Sequence, residues 1–430
     1  MSNPIQLLRQ AAAAARRNEY MQAIQLYTDL LAETDPHSDE PAVQDARLLA
    51  LRERGRLFHI QGENQAALAG YEQYLLEAGD GRQAIDALVL IGQQCSYMNR
   101  FERAIDAHRQ ALELAEKHGD TPGRAKALGG LGLVFSYLER PEEALSYLRR
   151  SLALFEQMGD KDELARCWNR IGVAQMSLGE LDKAILAFRA SSELAQLVGE
   201  GDPLARETLI NALSNLGECY QYLFDMQQAL DSHRRALQMA ERTLLPYFQA
   251  DLARNLGVDL EQLGQPEEGI AFLYRSLQLS VETGQPDVEV QALYSLALAE
   301  WRRGEADKAR ALADGLKAKA EESRNQGAQA DALYVLGLCH QSREEAAAAE
   351  RSWQQALFLA HETGRRMLLW QLHSALAAIA PNPELAGVHN RIAAEIIQQI
   401  AHPIEDQQLR GGFLQAPAVK AILDQVSVAE

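Results

Sequence analysis

The amino-acid sequence predicts an all-α fold, a solenoid of antiparallel helix pairs stacked along the chain. Small residues recur at a spacing of about 40 residues over most of the length, and such self-similarity is the signature of a repeat architecture. The composition favours helix over strand, because aromatic residues make up only 6% while Ala and Leu are abundant. No segment shows the alternation of apolar and polar residues that marks a half-buried strand.

The repeat is defined by a small residue in the first helix of each pair. A second small residue follows 12 positions later in most repeats, and a bulky residue stands four positions beyond it in nearly all of them. One helix pair cannot bury its own apolar face, so successive pairs must stack. The defining residues are Gly55, Gly92, Gly132, Gly172, Gly217, Gly257, Ala297, Gly337 and Ala377.

The recurring glycine predicts a close contact between the two helices of a pair. A glycine inside a helix costs about 1 kcal/mol relative to alanine, so its repeated use needs a packing reason. We expect the helix backbones to approach each other there, with the second small residue as the partner. In the fourth repeat this pairs Gly132 with Ala144.

Proline and glycine mark the helix ends. In the fourth repeat we expect helices over residues 125–137 and 142–158, because Pro141 suits a first helical turn and Gly159 suits the left-handed position that ends a helix. A similar stop, glycine followed by a polar residue, recurs at Gly79, Gly119, Gly199, Gly284 and Gly364.

The chain divides by pattern into two segments. Residues 1–380 carry about nine helix pairs, and residues 381–430 hold atypical last helices and a C-terminal cap. After Pro383 we expect an apolar helix over residues 386–400, then a connection through residue 414 and a short helix over residues 418–426. This tail would cap the solenoid by covering its last apolar face.

The repeat residues carry a family resemblance. Leu131-Gly132-x-x-Phe135 followed by Ala144-x-x-x-Leu148 resembles a tetratricopeptide repeat, and nearly the whole chain follows the pattern. The long period is similar to that of Pins-type and kinesin-light-chain-type adaptors and of bacterial regulators with helical-repeat sensor regions. The resemblance implies a right-handed superhelical solenoid whose inner, concave groove binds partners.

Composition excludes several function classes. Lys and Arg number 42 against 60 Asp and Glu, a formal net charge of −18, and so acidic a chain is a poor general binder of nucleic acid. No stretch approaches 18 apolar residues and no signal-peptide core is visible, so no membrane association is expected. Four cysteines cannot form a disulfide framework, which favours a cytoplasmic location.

Catalysis and cofactors are not expected. The sequence has no Walker-type loop and no HExxH motif. The cysteines lie on the first helices of four different repeats, and no two histidines are four residues apart, so no metal or other cofactor is expected. We expect a binding protein with a protein or peptide partner, and self-association is left open.

The face of each first helix opposite its stacking face holds the candidate binding residues. One asparagine amide can both donate to and accept from a peptide backbone, and the resemblance to Pins-type adaptors implies a ladder of such residues. Exposed aromatic side chains are typical partner anchors, and arginines could select an acidic segment. The candidates are Arg52, Arg56, Tyr97, Tyr137, Arg166, Asn169, Arg170, Asn215, Tyr222, Arg254, Asn255, Tyr294, Trp301 and Tyr334.

The residues leave alternatives open. The aromatic side chains could instead pack against the neighbouring repeat, and the arginines could pair with groove carboxylates such as Glu218, Asp251 and Glu261. Two functions fit the pattern. The first is an adaptor that holds a partner's peptide or helix in its groove. The second is a regulatory sensor, in which a small ligand or signalling peptide changes the superhelix and thereby controls a separate protein.

Overall fold

The computed structural model of the chain describes residues 4–17, 19–199, 202–242 and 246–427. Across those ranges every regular element is an α-helix, which confirms the predicted fold class. The helices are α1 (Pro4–Arg16), α2 (Tyr20–Glu33), α3 (Pro41–Ile60), α4 (Asn64–Glu77), α5 (Arg82–Tyr97), α6 (Phe101–His118), α7 (Thr121–Tyr137), α8 (Pro141–Met158), α9 (Lys161–Ser177), α10 (Leu181–Val198), α11 (Pro203–Tyr222), α12 (Met226–Arg242), α13 (Pro246–Gln262), α14 (Pro266–Glu282), α15 (Pro286–Arg302), α16 (Ala306–Glu322), α17 (Gln326–Ser342), α18 (Ala346–Glu362), α19 (Arg366–Ala378), α20 (Pro383–Ala401), α21 (Gln407–Gln415) and α22 (Pro417–Ser427).

The helices pack in consecutive pairs within two compact units. The first unit runs through Ala174 and the second begins at Gln175, so the division falls inside α9. In the first unit α1 packs on α2, α3 on α4, α5 on α6 and α7 on α8, and in the second unit the pairing continues from α11 on α12 to α19 on α20. The boundary predicted near residue 380 falls between α19 and α20, which pack together as a further pair.

The predicted helix ends lie where proline and glycine placed them. Pro141 occupies the first turn of α8, and Gly159 ends that helix in the left-handed conformation at a φ of 67°. Gly119 ends α6 in the same way at a φ of 66°. A left-handed φ suits glycine because no Cβ clashes there, so these residues fix where each second helix stops.

The glycine of each first helix lies beneath a bulky side chain of the second helix. A Cβ added to Gly132 would stand 2.5 Å from Leu148 Cγ, and one added to Gly92 would stand 2.6 Å from the His108 ring. Gly55 beneath Tyr71 and Gly257 beneath Leu273 repeat the contact. The nearest neighbour of each of these glycines is therefore the bulky residue that follows it by 16 positions in the sequence. The expected partner 12 positions on also approaches closely through its backbone, since the carbonyl oxygen of Ala144 is 3.2 Å from the same added Cβ.

The tail after α20 packs within the second unit at two places. Its last helix, α22, packs against α20. The tail also reaches the start of α10, where the buried Asp182 carboxylate accepts hydrogen bonds from the backbone N–H groups of Glu405 and Asp406, both at 2.9 Å. The buried Phe413 ring lies 6.0 Å from Phe224, the residue that follows α11 by two positions. The tail thus connects the end of the second unit to its beginning.

Helix α21 was not expected, because residues 403–414 read as a connection. Its start is fixed by Asp406, whose carboxylate accepts from the backbone N–H groups of Gln408 at 2.8 Å and Leu409 at 2.9 Å. An aspartate that caps a helix in this way is a recognisable local signal. The sequence therefore contained the start of α21, although not the position of the helix in the fold.

The glycine contact predicts a strong effect of added volume. We expect Gly132→Leu to lower the free energy of unfolding by about 1–3 kcal/mol or more, because the new side chain overlaps Leu148. The matched control is Gly315→Ala in α16, where an added Cβ meets nothing within 4 Å; it should be neutral or stabilising by up to about 1 kcal/mol. Thermal melting compares the two, and equal melting temperatures for Gly132→Leu and wild type would contradict the contact.

The Asp182 contact predicts a tail that depends on one carboxylate. We expect Asp182→Ala to expose the tail, because two backbone N–H groups lose their acceptor at a cost of about 1–3 kcal/mol. The measurement is the rate of tryptic cleavage after Arg410 and Lys420, which should rise. Lys183→Ala removes two surface ion pairs, with Glu405 in the tail and with Glu180, and should change the rate little. Equal acceleration by both variants would show that Asp182 has no special part.

Candidate binding groove

A cavity of about 870 Å³ opens within the second unit. Its lining comes mainly from the first helices of five successive pairs, α11, α13, α15, α17 and α19. On α11 the lining side chains include Asn211, Asn215, Glu218 and Tyr222, which recur at the spacing of one helical face. Because the neighbouring first helices each present such a face, the cavity is a groove that runs across repeats.

Four of the candidate residues meet in this groove. Asn215 and Tyr222 on α11, Arg254 on α13 and Tyr294 on α15 all line the cavity. The Tyr222 ring is the most accessible of them, with 43% of its surface exposed. Asn215, Arg254 and Tyr294 are half-buried. The groove therefore offers one exposed aromatic ring beside amide and guanidinium groups.

Asn255 is a correction to the predicted ladder. Its side chain is fully buried, with Nδ2 3.5 Å from both Glu218 Oε1 and Asp251 Oδ2. The sequence placed this amide on the open groove face, but in the structure it is buried and its contact with Glu218 is directed at α11. Asn255 therefore cannot offer its amide to a partner in this conformation, and in the second unit Asn215 is the predicted ladder residue that reaches the groove.

Trp301 and Tyr334 stand outside the cavity lining. The Trp301 indole N–H donates to Ser342 Oγ at 3.0 Å, and both aromatic rings pack against the buried cluster formed by α15, α16 and α17. Their position corresponds to the alternative that the sequence left open, in which aromatic side chains pack between neighbouring repeats.

The other candidates lie in the first unit and do not join the cavity. The rings of Tyr97 and Tyr137 are exposed at 57% and 48%; Tyr97 lies 4.8 Å from the His59 ring and Tyr137 lies 6.0 Å from Phe101. Asn169 and Arg170 are half-buried on α9.

The first-unit arginines are largely committed to carboxylates. Arg52 and Arg56 both bind Glu53, at 2.8 and 2.9 Å, and Arg166 binds Asp162 and Glu163 at 2.8 and 3.0 Å. These pairs match the alternative in which groove arginines form ordinary salt bridges.

Three arginines of the groove are also paired. Arg254 binds Asp251 at 2.9 Å, and Arg302 binds Glu261 at 2.5 Å. Arg365 binds Asp331 at 2.8 Å. Arg302, Asp331 and Arg365 were not predicted from the sequence, because a repeat register gives the face of a helix but not its partners on the next helix. An arginine selecting an acidic ligand would first have to release one of these carboxylates.

Burial raises the pKa of two carboxyl groups and one tyrosine in the groove. Desolvation raises the pKa of Asp331 to about 6, although Arg365 opposes the shift. Desolvation also raises the pKa of Glu218, and the neighbouring Asp251 carboxylate adds to the effect. Burial and then Asp331 raise the pKa of Tyr294 well above its ordinary value. The groove therefore holds negative charge at a cost in solvation.

A buried hydrogen-bond network supports the floor of the groove. His233 Nδ1 lies 2.6 Å from Asp259 Oδ2, and its Nε2 lies 3.2 Å from the Ser214 carbonyl oxygen. The Gln221 side chain, which lines the cavity, donates to Asp259 Oδ1 at 2.7 Å. His233 is also the bulky residue over Gly217. The same side chain therefore packs between α11 and α12 and takes part in the hydrogen-bond network below the groove.

The described residues offer little reactive chemistry. All four cysteines are buried and free, and burial raises the pKa of the Cys95, Cys167, Cys219 and Cys339 thiols. In the part of the chain that the structure describes, no three His, Cys, Asp or Glu side chains cluster as metal ligands. None of the described helices is long and apolar enough to cross a membrane.

Comparison with protein-family models finds a repeat match in part of the chain. Residues 83–157, 123–197 and 208–282 match the family model described as Tetratricopeptide repeat. A search of curated proteins finds no match.

Solved structures resemble the fold. The apo form of the quorum sensor NprR from B. thuringiensis is 15% identical, with a TM-score of 0.59 over 82% of this chain and 97% of that one. Aspartyl phosphate phosphatase F from Bacillus subtilis is 14% identical, with a TM-score of 0.54 over 93% and 95%. The Rap conjugation gene regulator of plasmid pLS20, solved with a Phr peptide, is 13% identical, with a TM-score of 0.55 over 78% and 95%. At these identities the likeness extends to the fold alone.

The positions of the two groove asparagines predict different effects on stability. We expect Asn255→Ala to lower the free energy of unfolding by about 1–3 kcal/mol, because Glu218 and Asp251 lose the donor between them. Asn215→Ala truncates a side chain that reaches the open cavity, and we expect a loss below about 1 kcal/mol. Chemical denaturation measures both, and a larger loss for Asn215→Ala would contradict the placement of Asn255.

Proposed function

We propose that this chain, which matches tetratricopeptide repeats over residues 83–197 and 208–282, is an interaction protein whose second unit binds a partner's peptide or helix in the groove. The observation that carries this proposal is the cavity of about 870 Å³ lined by the first helices of five successive pairs. Such a site spans several repeats, so an extended or helical segment laid across them meets new side chains from each. A scaffold or adaptor role follows from binding of this kind.

The groove has the chemistry that peptide recognition needs. The Asn215 amide can donate to and accept from a peptide unit, and the Tyr222 ring supplies an accessible apolar surface with a polar end. The buried network through Gln221, Asp259 and His233 holds the floor in place. A binding surface whose backbone is held in this way loses little conformational entropy on binding.

Similar structures support a peptide ligand. One is described as a quorum sensor and another was solved with a peptide, so a fold like this one can hold a peptide ligand. Another is described as a phosphatase. Our proposal assigns no catalysis to this chain, since the groove offers paired carboxylates and arginines but no activated nucleophile among its described side chains.

A regulatory sensor is the second candidate function, and the tail contact favours it. The tail joins α10 and the end of α11 to the segment after α20, and the groove lies on the helices between those points. A small ligand or signalling peptide that changed the curvature of these repeats would strain the Asp182 contact. Release or tightening of the tail could then control a separate partner protein.

The proposal includes a cytoplasmic location and excludes nucleic acid and membranes as partners. Four free, buried cysteines suit a reducing compartment. The net charge of −18 opposes phosphate backbones and anionic lipid surfaces. Self-association through an end of the repeat array is compatible with the adaptor role and is not needed for it.

The test is selection from a library of N-acetylated, C-amidated octapeptides, followed by affinity measurement on the best binder. We expect Asn215→Ala and Tyr222→Ala each to weaken binding by about 1–2 kcal/mol, roughly tenfold, because a few anchors dominate such interfaces. Tyr97→Ala is the matched control, since it removes an exposed tyrosine of the first unit outside the cavity. Circular dichroism should be unchanged in all three variants.

Two outcomes would redirect the proposal. Loss of binding in Tyr97→Ala with normal binding in Tyr222→Ala would place the site in the first unit. Absence of any selected peptide would contradict the proposed binding function. For the sensor, the bound peptide should change the rate of tryptic cleavage in the tail; an unchanged rate would favour the adaptor.

A further inference from the structure

The groove of the second unit carries more negative than positive charge. Five carboxylates line the cavity, against three guanidinium groups. Each guanidinium already binds one of the lining carboxylates, in the pairs Arg254–Asp251, Arg302–Glu261 and Arg365–Asp331. The remaining two carboxylates belong to Asp287, which is exposed at the rim, and to Glu218, which is half-buried. An occupant that balances the charge must therefore bring positive charge with it.

Glu218 is the half-buried carboxylate without a direct ion pair: Arg254 lies near enough to attract it but binds Asp251. Among the residues that the structure describes it forms no ion pair, and its hydrogen bond comes from the neutral amide of Asn255, at 3.5 Å. The same Nδ2 lies 3.5 Å from Asp251 Oδ2. Two carboxylates thus share one weak donor, and Asp251 contributes to the raised pKa of Glu218. A cation placed here would relieve both the desolvation and the repulsion.

A second carboxylate of the groove points to the same kind of occupant. Asp331 is only 7% exposed and lines the cavity, and its Oδ2 binds Arg365 at 2.8 Å. Its Oδ1 is buried and has no hydrogen-bond partner in the described part of the chain. A buried acceptor left unpaired costs free energy, and a donor that reached Oδ1 from the groove would remove this cost.

The aromatic groups of the groove suit a cationic ligand as well. Tyr222 lies four residues after Glu218, on the same face of α11, and its ring is 43% exposed. Tyr294 lines the cavity from α15. Aromatic faces attract ammonium and guanidinium groups, with an energy that grows as the pair is desolvated. A carboxylate beside an open tyrosine ring therefore selects a basic side chain over a neutral one.

We infer that the groove recognises a basic peptide segment, whose lysine or arginine side chain binds the Glu218 carboxylate beside Asp251 and Tyr222. This inference rests on the proposed function and adds the charge of the ligand to it. It reverses the expectation from sequence that groove arginines would select an acidic segment, because those arginines are occupied by their own carboxylates.

The test uses the octapeptide library, whose capped ends leave Lys and Arg side chains as the only positive groups. Wild-type protein should select Lys or Arg at one position of the peptide. The selected peptide is then remade with citrulline for arginine, or acetyl-lysine for lysine, which keeps the shape and removes the charge. All measurements are made with a chelator present, so that no divalent ion bridges the carboxylates.

We expect the neutral peptide to bind wild type about tenfold more weakly or worse, as for loss of a charge-assisted hydrogen bond. Glu218→Gln should bind the basic peptide equally weakly and should no longer distinguish it from the neutral one. Glu268→Gln is the matched control, because it removes the same charge from an exposed site on α14 and should behave as wild type. Asp251→Asn provides a second variant should Glu218→Gln fail to fold, and it should lower the preference as well.

The outcomes separate the inference from the function on which it rests. If wild type selects peptides in a Tyr222-dependent way but prefers acidic or uncharged ones, the cation site is wrong and the binding groove stands. If the preference for a basic residue survives in both Glu218→Gln and Asp251→Asn, this placement of the site is wrong. If wild type binds no octapeptide, the proposed function fails and the inference fails with it.

Discussion

The contact between a helical glycine and a bulky residue of the next helix is the constraint on which the repeat depends. It sets the distance between the paired helices, because a single added methyl group would overlap Leu148, His108 or Tyr71. The bulky residue itself varies from Leu to His to Tyr, so the constraint is one of volume and not of chemistry. Where the residue is His233, the same position extends into a polar network and reaches the groove through Asp259 and Gln221.

The fold was predictable from the sequence because its signals are local and repeated. The glycine period, the prolines of first turns and the glycines at helix ends each act within one repeat, and α8 begins at Pro141 and ends before Gly159 as the pattern indicates. The tail contact was not predictable in this way. Asp182 and Glu405 are 223 residues apart, and no periodic or local signal connects an aspartate in a first helical turn to two distant N–H groups.

The candidate site was predictable in its face but not in its accessibility. The helical register places Asn215 and Tyr222 on one face of α11, since a register fixes an angle around the helix axis, and both side chains line the cavity. It could not reveal that α11 buries Asn255, or that Arg254 is held by Asp251. Those facts depend on which side chains of neighbouring helices meet, and a single-helix pattern contains no information about them. The charge that the groove offers to a ligand therefore depends on which arginines and carboxylates pair with each other.

The end of α11 links the groove to the tail. Glu218 and Tyr222 lie in its last two turns, and Phe224, two residues beyond Tyr222, contacts Phe413 of the tail. Phe224 adopts a left-handed φ of 59°, a conformation that is strained for a side chain with a bulky ring and persists only where the surroundings hold it. An occupant that moves Tyr222 would therefore act directly on a residue that contacts the tail.

Any such coupling between the groove and the tail is reciprocal. If docking of the tail changes the affinity of the groove for a peptide by some factor, the peptide changes the docking equilibrium of the tail by the same factor. The adaptor and sensor functions then differ only in the size of that factor, which is close to one for an adaptor and far from one for a sensor.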